Sequence, residues 1–207
     1  MRKVSARRNI ENALRRYGFV YVAGVDEVGR GCLAGPVMAG AVILDPDRRI
    51  DGLADSKALP AAARERLHAE IVVKAVAWAV VSVTPGEIDR INIHQATLQA
   101  MRRAVLALAP LPDAVLVDAF RIPSLPMAQR GVVGGDRRSA AIAAASIVAK
   151  VTRDRMMQEL HAADPRYGFD RHKGYATADH LAAVVRFGYS PHHRRTFRPA
   201  TLFDTIA

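Results

Sequence analysis

A chain of 207 residues, half of them hydrophobic, is long enough to bury a sizeable core, and a single domain spanning 1–207 with a C-terminal helical and basic extension from about 165 is predicted. The 30 Lys and Arg outweigh the 20 Asp and Glu to leave a net charge of +10, which favours a polyanionic partner through counterion release and long-range steering. No apolar run is long enough to span a bilayer and the basic N-terminus precedes no apolar signal core, so a soluble, cytoplasmic protein without a membrane partner is expected. Cys32 is the single cysteine: it excludes an internal disulfide and a cysteine-built zinc site, and with no base placed beside it in sequence it reads as a small packing residue.

In chain order, residues 19–27 and 36–44 are rich in Val, Ala and Ile around a Gly- and Pro-bearing turn, which predicts a strand pair opening the sheet at the N-terminus. Leu67 and Ile71 sit at helical spacing within 59–73, and residues 75–83 read as a buried strand carrying the only Trp. Thr84-Pro85-Gly86-Glu87 has the form of a capping box with proline at the first helical position. A helix over 93–108, a short strand over 114–117 that delivers Asp118, and a further strand over 129–133 follow. An Ala-rich helix over 139–161 begins just after Asp136, and Thr177 caps a last helix reaching Phe187. This order predicts an α/β fold: a mixed central sheet with helices on its faces.

The chemistry concentrates in Asp26-Glu27-Val28-Gly29-Arg30-Gly31, where an apolar strand runs into two carboxylates and a Gly-Arg-Gly turn. Carboxylates at a strand end need protons, hydrogen bonds or metal ions, while glycines let backbone approach a ligand closely, so a divalent-metal nuclease is the first reading. Adjacent strand residues face opposite ways, so Asp26 and Glu27 serve one site only where the strand ends or twists, which Val28-Gly29 provides. Asp45, Asp47, Asp51 and Asp55 read as turn or solvent residues, and Asp154 as an ion-pair member within Arg153-Asp154-Arg155.

Together with Asp55-Ser56-Lys57, Val117-Asp118, Gly135-Asp136, the run 143–154 and His172-Lys173-Gly174-Tyr175, this segment resembles the ribonuclease HII family over nearly the whole chain. The resemblance implies a ribonuclease H-like fold with a five-stranded mixed sheet, whose first and fourth strands run parallel and side by side, bringing Asp26 and Asp118 together at their carboxyl ends. It implies that Asp26, Glu27, Asp118 and Asp136 are the catalytic, metal-binding acids, with Asp26 shared between two Mg²⁺ or Mn²⁺ ions; Asp136 has a second reading as a helix cap. It further implies that Gly29, Arg30 and Gly31 contact the ribonucleotide and its phosphate, Lys57 reaches phosphate, and Tyr175 packs on the adjoining sugar, the 2′-hydroxyl telling RNA from DNA.

The implied activity is metal-dependent endonucleolytic hydrolysis of RNA in RNA/DNA hybrids, with cleavage 5′ of ribonucleotides embedded in duplex DNA, by a monomer. A silent hybrid-binding module and a two-metal nuclease or phosphatase of broader range are the rival readings. His192, His193, Arg194, Arg195 and Arg198 form a basic run that grips duplex backbone in this reading, with a solvated charge run as its rival, and Leu202-Phe203 is a candidate sliding-clamp contact against terminal packing. Two positions depart from the family pattern: Ala119 stands where glycine is common, and Gly134 where a lysine often precedes Gly-Asp.

Overall fold

A computed structural model describes residues 6–197. The strands are β1 (Val22–Val28), β2 (Val37–Ile43), β3 (Ala77–Val83), β4 (Ala114–Asp118) and β5 (Ala128–Val132), in the sheet order β3-β2-β1-β4-β5. β1, β2 and β3 pair antiparallel as a meander, whereas β4 runs parallel to β1 and β5 parallel to β4. The sheet is therefore mixed, as expected, and the parallel register Val25↔Val117 puts Asp26 and Asp118 at the same end of adjacent strands.

Helices cover both faces. α4 (Ile93–Leu106) joins Ala96, Ala100, Met101 and Ala104 to Val25, Ala39, Ala41 and Val117 in one core. On the opposite face, α6 (Ala140–Ala163) and α2 (Ala61–Lys74) share a second core through Ala141, Ala144, Val148, Leu67 and Ile71. The alanines of α6 let it lie almost on the sheet: a Cβ at Gly24 would collide with the Ala141 backbone, and one at Gly40 would stand 2.5 Å from the Ala145 carbonyl oxygen. Because side chains alternate along a strand, Asp26 shares the face of Gly24 and so points beneath α6, opposite Gly40 across the ladder.

Three sequence expectations need correction. The sheet does not open the fold, because α1 (Asn9–Arg16) precedes β1. It lacks a side-chain cap, and its fixed point is tertiary: buried Glu11 Oε1 accepts from Ser139 Oγ at 2.7 Å and from the Ala141 N–H at 2.8 Å, capping the start of α6. The strand carrying the only Trp is an edge rather than a buried strand, with Trp78 40 % exposed, since β2 alone pairs with it. The helix expected to start at Thr84 is α3 (Pro85–Ile91), which carries the capping box, and the helix expected over 93–108 is α4, capped by Asn92 at φ +66°. Finally, Asp136 is no cap for the helix expected over 139–161, which is α6: Asp136 lies in a separate single turn, α5 (Gly135–Arg138), and extended Ser139 caps α6 with its hydroxyl. In the C-terminal region a short turn at Pro165–Tyr167, α7 (Phe169–His172) and α8 (Ala178–Phe187, capped by Thr177) follow α6; Tyr167 and Phe169 pack with Ala34 and Met157. No described helix is long and apolar enough to cross a membrane.

Candidate active site

Asp26 lies near the carboxyl end of β1, almost wholly buried, its Oδ1 accepting from the Glu27 N–H at 2.7 Å. Burial holds its carboxyl well above the usual range, and the charges of Glu27 and Asp118 add to the rise; the Ser146 hydroxyl works the other way by favouring the ionised form. Glu27 is likewise raised, chiefly by burial, against the attraction of Arg30, whose guanidinium is 3.6 Å away. Asp118 ends β4 and accepts from the Gly135 N–H at 2.7 Å, which ties the β4 end to the turn carrying Asp136. Asp136 is pushed up by burial and by Asp55 and Asp118, with Lys57 and Arg137 opposing. The charge of Asp118 thus bears on Asp26, on Glu27 and on Asp136, at one end of the parallel pair.

A cavity of about 180 Å³ opens beside Glu27, lined also by Gly29, Arg30, Gly31, Ser56, Lys57, Ser146, Lys150 and Tyr175; Asp26, Asp118 and Asp136 do not line it. The sequence-identified Gly-Arg-Gly turn, Lys57 and Tyr175 thus face the same space as Glu27. Gly29 has φ +88°, and a Cβ there would collide with Arg153. Gly31 opens onto free space, Arg30 lies 4.8 Å over the Phe120 ring, and Tyr175 is 42 % exposed.

Among the described residues no group of three or more His, Cys, Asp or Glu side chains is preassembled to hold a metal ion. Mg²⁺ does not require one, since it takes one or two carboxylates and completes its shell with water and phosphate. The residues fit such an ion on a different observation: Glu27 Oε2 is buried with no hydrogen-bond partner, beside a second buried carboxyl whose ionised form its surroundings oppose. Hard oxygen donors lacking compensation are what a divalent cation satisfies.

A family model described as ribonuclease HII matches residues 23–200. The chain belongs to the ribonuclease HII family. These are hydrolases, endoribonucleases acting on RNA/DNA hybrids. Among curated relatives, ribonuclease HII 1 of Methylibium petroleiphilum is 56 % identical over 86 % of this chain and 89 % of its own, and ribonuclease HII of Thiobacillus denitrificans 56 % identical over 89 % and 91 %. Among solved structures, ribonuclease H2 of Pyrococcus horikoshii has a TM-score of 0.74 at 26 % identity, covering 90 % of this chain and 98 % of that one. The RNase HII of Archaeoglobus fulgidus, solved as a complex with PCNA, has a TM-score of 0.70 at 27 % identity, covering 89 % and 100 %. Bst-RNase HIII, solved with Mn²⁺, shares the fold at 20 % identity.

Several ribonuclease HII residues escaped the sequence reading. Ser56 and Ser146 join hydroxyls at 2.8 Å under the cavity, and Lys150, one turn after Ser146, donates to Asp154 at 2.7 Å. Ser146 carried a signal, a lone hydroxyl in a wholly apolar stretch of helix; Asp154 is the ion-pair member expected. The larger miss is in the basic run. Arg194 does not grip duplex: it is fully buried and donates to the carbonyls of Gly29 at 2.6 Å, Arg30 at 2.7 Å and Gly35 at 2.9 Å. Burial lowers it to about 10. Arg153, also fully buried, donates to Pro36 at 3.0 Å, Lys173 at 2.9 Å and Ala34 at 3.1 Å. His193 is buried too; Arg195 is exposed, while Arg198, Leu202 and Phe203 lie outside the described residues.

Proposed function

We propose that the protein hydrolyses the phosphodiester on the 5′ side of a ribonucleotide embedded in duplex DNA, and cuts longer RNA/DNA hybrids, leaving 3′-hydroxyl and 5′-phosphate ends. The observation that carries this reading is the adjacent pair Asp26 and Glu27, both raised chiefly by burial and with Glu27 Oε2 unpartnered, beside a cavity that Glu27, the Gly-Arg-Gly turn and Tyr175 line. Asp26, Glu27, Asp118 and Asp136 would hold two divalent ions, Mg²⁺ or Mn²⁺, with Asp26 common to both. Such ions supply neutralisation of the charge that builds on the attacking and departing oxygens. The chain itself supplies position. Gly29, Arg30 and Gly31 offer backbone groups and a guanidinium to the ribose 2′-hydroxyl and adjoining phosphate, Lys57 meets a second phosphate oxygen, and Tyr175 covers the neighbouring sugar.

In this proposal residues 1–207 act as one monomeric catalytic domain, with the region from about 165 as its extension and Leu202-Phe203 as a sliding-clamp contact. Product mapping on a duplex with one ribonucleotide, with and without added divalent ion, tests the reaction. A single cut 5′ of the ribonucleotide, dependent on the ion and absent from all-DNA duplex, is expected; equal cutting of all-DNA duplex would defeat it.

A further inference from the structure

The Gly29–Pro36 turn and the His172–Tyr175 turn are far apart in sequence yet tied to one short segment near the C-terminus. Residues 192–194 run against Leu33–Gly35 as a strand fragment, with the Gly35 N–H donating to the His192 carbonyl at 2.8 Å and the Arg194 N–H to the Leu33 carbonyl at 2.8 Å. The Leu33 N–H in turn donates to the Gly174 carbonyl at 2.8 Å. Arg194 then binds the carbonyls of the Gly-Arg-Gly turn, and the residue before it, His193, begins a chain of imidazoles leading to Tyr175.

Polar bookkeeping fixes the direction of that chain. The Tyr175 carbonyl oxygen can only accept, so His180 Nδ1, 2.8 Å away, carries a proton. A neutral His180 then has a bare Nε2, which lies 3.0 Å from His193 Nε2, so His193 donates there. A neutral His193 must leave Nδ1 bare, and the Ser190 N–H donates to that atom at 3.0 Å. The two ends demand the same tautomers independently. His172 stacks on His180 at 4.3 Å and accepts from the Gly174 N–H at Nδ1, 3.1 Å away. His180 and His193 are buried, and desolvation holds both near 4, so the neutral rings that this chain requires are the resident forms.

We infer that His180 and His193 are positioning residues for Tyr175, and that the segment Ser190–Arg194 sets the Gly-Arg-Gly turn and Tyr175 in register as a single ribonucleotide reader. The inference rests on the reading of that turn and Tyr175 as substrate contacts. Neither histidine lines the cavity: His180 acts through the backbone carbonyl of Tyr175, which does, and His193 acts through His180. A buried imidazole bound at both nitrogens allows one ring orientation, whereas an apolar ring of the same size would hold volume and lose the tether.

The test is selectivity: kcat/KM on a duplex with one ribonucleotide divided by kcat/KM on a continuous RNA/DNA hybrid, measured for full-length wild type, His180→Phe, His193→Phe, Tyr175→Ala and the double variant His180→Phe/Tyr175→Ala. Misplacement of a substrate-positioning group by about 1 Å costs on the order of 100-fold, so a fall of about 10-fold or more is expected for His180→Phe, expressed in kcat on the single-ribonucleotide duplex. The double variant should fall no further than Tyr175→Ala, because a residue acting through another adds nothing once that other is gone. An unchanged ratio in folded His180→Phe and His193→Phe, or losses that multiply in the double variant, would overturn the inference while leaving Tyr175 a substrate contact. An unchanged ratio in Tyr175→Ala would instead overturn the reading beneath it. The wild-type protein gives a readout independent of any variant's folding: imidazole ¹⁵N shifts should report Nε2–H on His193 and Nδ1–H on His180, and the opposite tautomers would remove the tether.

Discussion

Asp26 illustrates a side chain whose native surroundings work against it. Its folded carboxyl titrates above the ordinary value, so the native state binds a proton more tightly than the unfolded chain. The associated stability is fully present below the unfolded value of about 4 and is lost as pH rises through the raised native value. In the absence of divalent ion, Asp26→Asn is therefore expected to raise the melting temperature near neutral pH by a few degrees, at roughly 2–4 °C per kcal/mol for a chain of this size, and to flatten its fall as pH rises above the unfolded value. The same variant should lose at least about 100-fold in cleavage, because several kcal/mol of transition-state stabilisation go with the ligand. Differential scanning calorimetry across pH with parallel cleavage assays checks both signs. Ala119 gives a milder case. It adopts φ +56°, a left-handed conformation that costs an L-residue about 1–2 kcal/mol, which explains why glycine suits a position just after Asp118. Set against the greater unfolded-chain freedom of glycine, Ala119→Gly should gain about 0.5–1 kcal/mol in urea denaturation with activity retained. What the sequence could show at this scale was chemistry type. Asp26 and Glu27 were legible because two acids ending an apolar strand break its pattern; Arg194 and His193 were not, because their partners are carbonyls and a ring supplied by distant segments, and a basic run looks the same whether solvated or buried.

At the level of elements, legibility followed the range of the interaction. The start of α3 could be read directly: Thr84 Oγ1 accepts from the Glu87 N–H and Glu87 Oε2 accepts from the Thr84 N–H, a pattern complete within four residues. The 3.6-residue periods of α4 and the strand-like runs of β1 and β2 were equally local. By contrast α1 is an eight-residue helix without a side-chain cap, too short to be stable alone, and it exists because Glu11 meets the start of α6. Glu11→Ala should cost about 1–2 kcal/mol by unfastening that cap, measured by chemical denaturation, and protect less of the 6–16 segment against hydrogen exchange. The contact between α6 and the sheet depends on the absence of side chains at Gly24 and Gly40. A methyl group at Gly40 meets a helix carbonyl rather than a flexible side chain, so Gly40→Ala is expected to cost about 2–3 kcal/mol and to displace the helix that carries Ser146 and Lys150. Such pairings of glycine with alanine are visible in sequence as composition, yet nothing local says which glycine meets which alanine.

Across the whole molecule two fields oppose one another. A net charge of +10 draws phosphate towards the protein, while the carboxyls at the ends of β1 and β4 repel it from the cavity. A cation bound among those acids reconciles the two, and its effect is measurable without turnover. Any ligand that binds only the native state stabilises by RT ln(1 + [L]/Kd), about 2.7 kcal/mol at 100 times Kd, or roughly 5–10 °C here. Protons compete for the same oxygens, because the carboxyls are raised by burial and by one another, so the increment from Mg²⁺ should be greater at pH 8 than at pH 6. Asp26→Asn should lose most of that increment. Sodium chloride at matched ionic strength separates binding from screening: screening acts on exposed charges and reaches buried groups far less, so it should leave the melting temperature nearly unchanged while weakening duplex affinity. A rise with sodium equal to that with magnesium would mean that the acids are relieved by general screening rather than by an ion held among them.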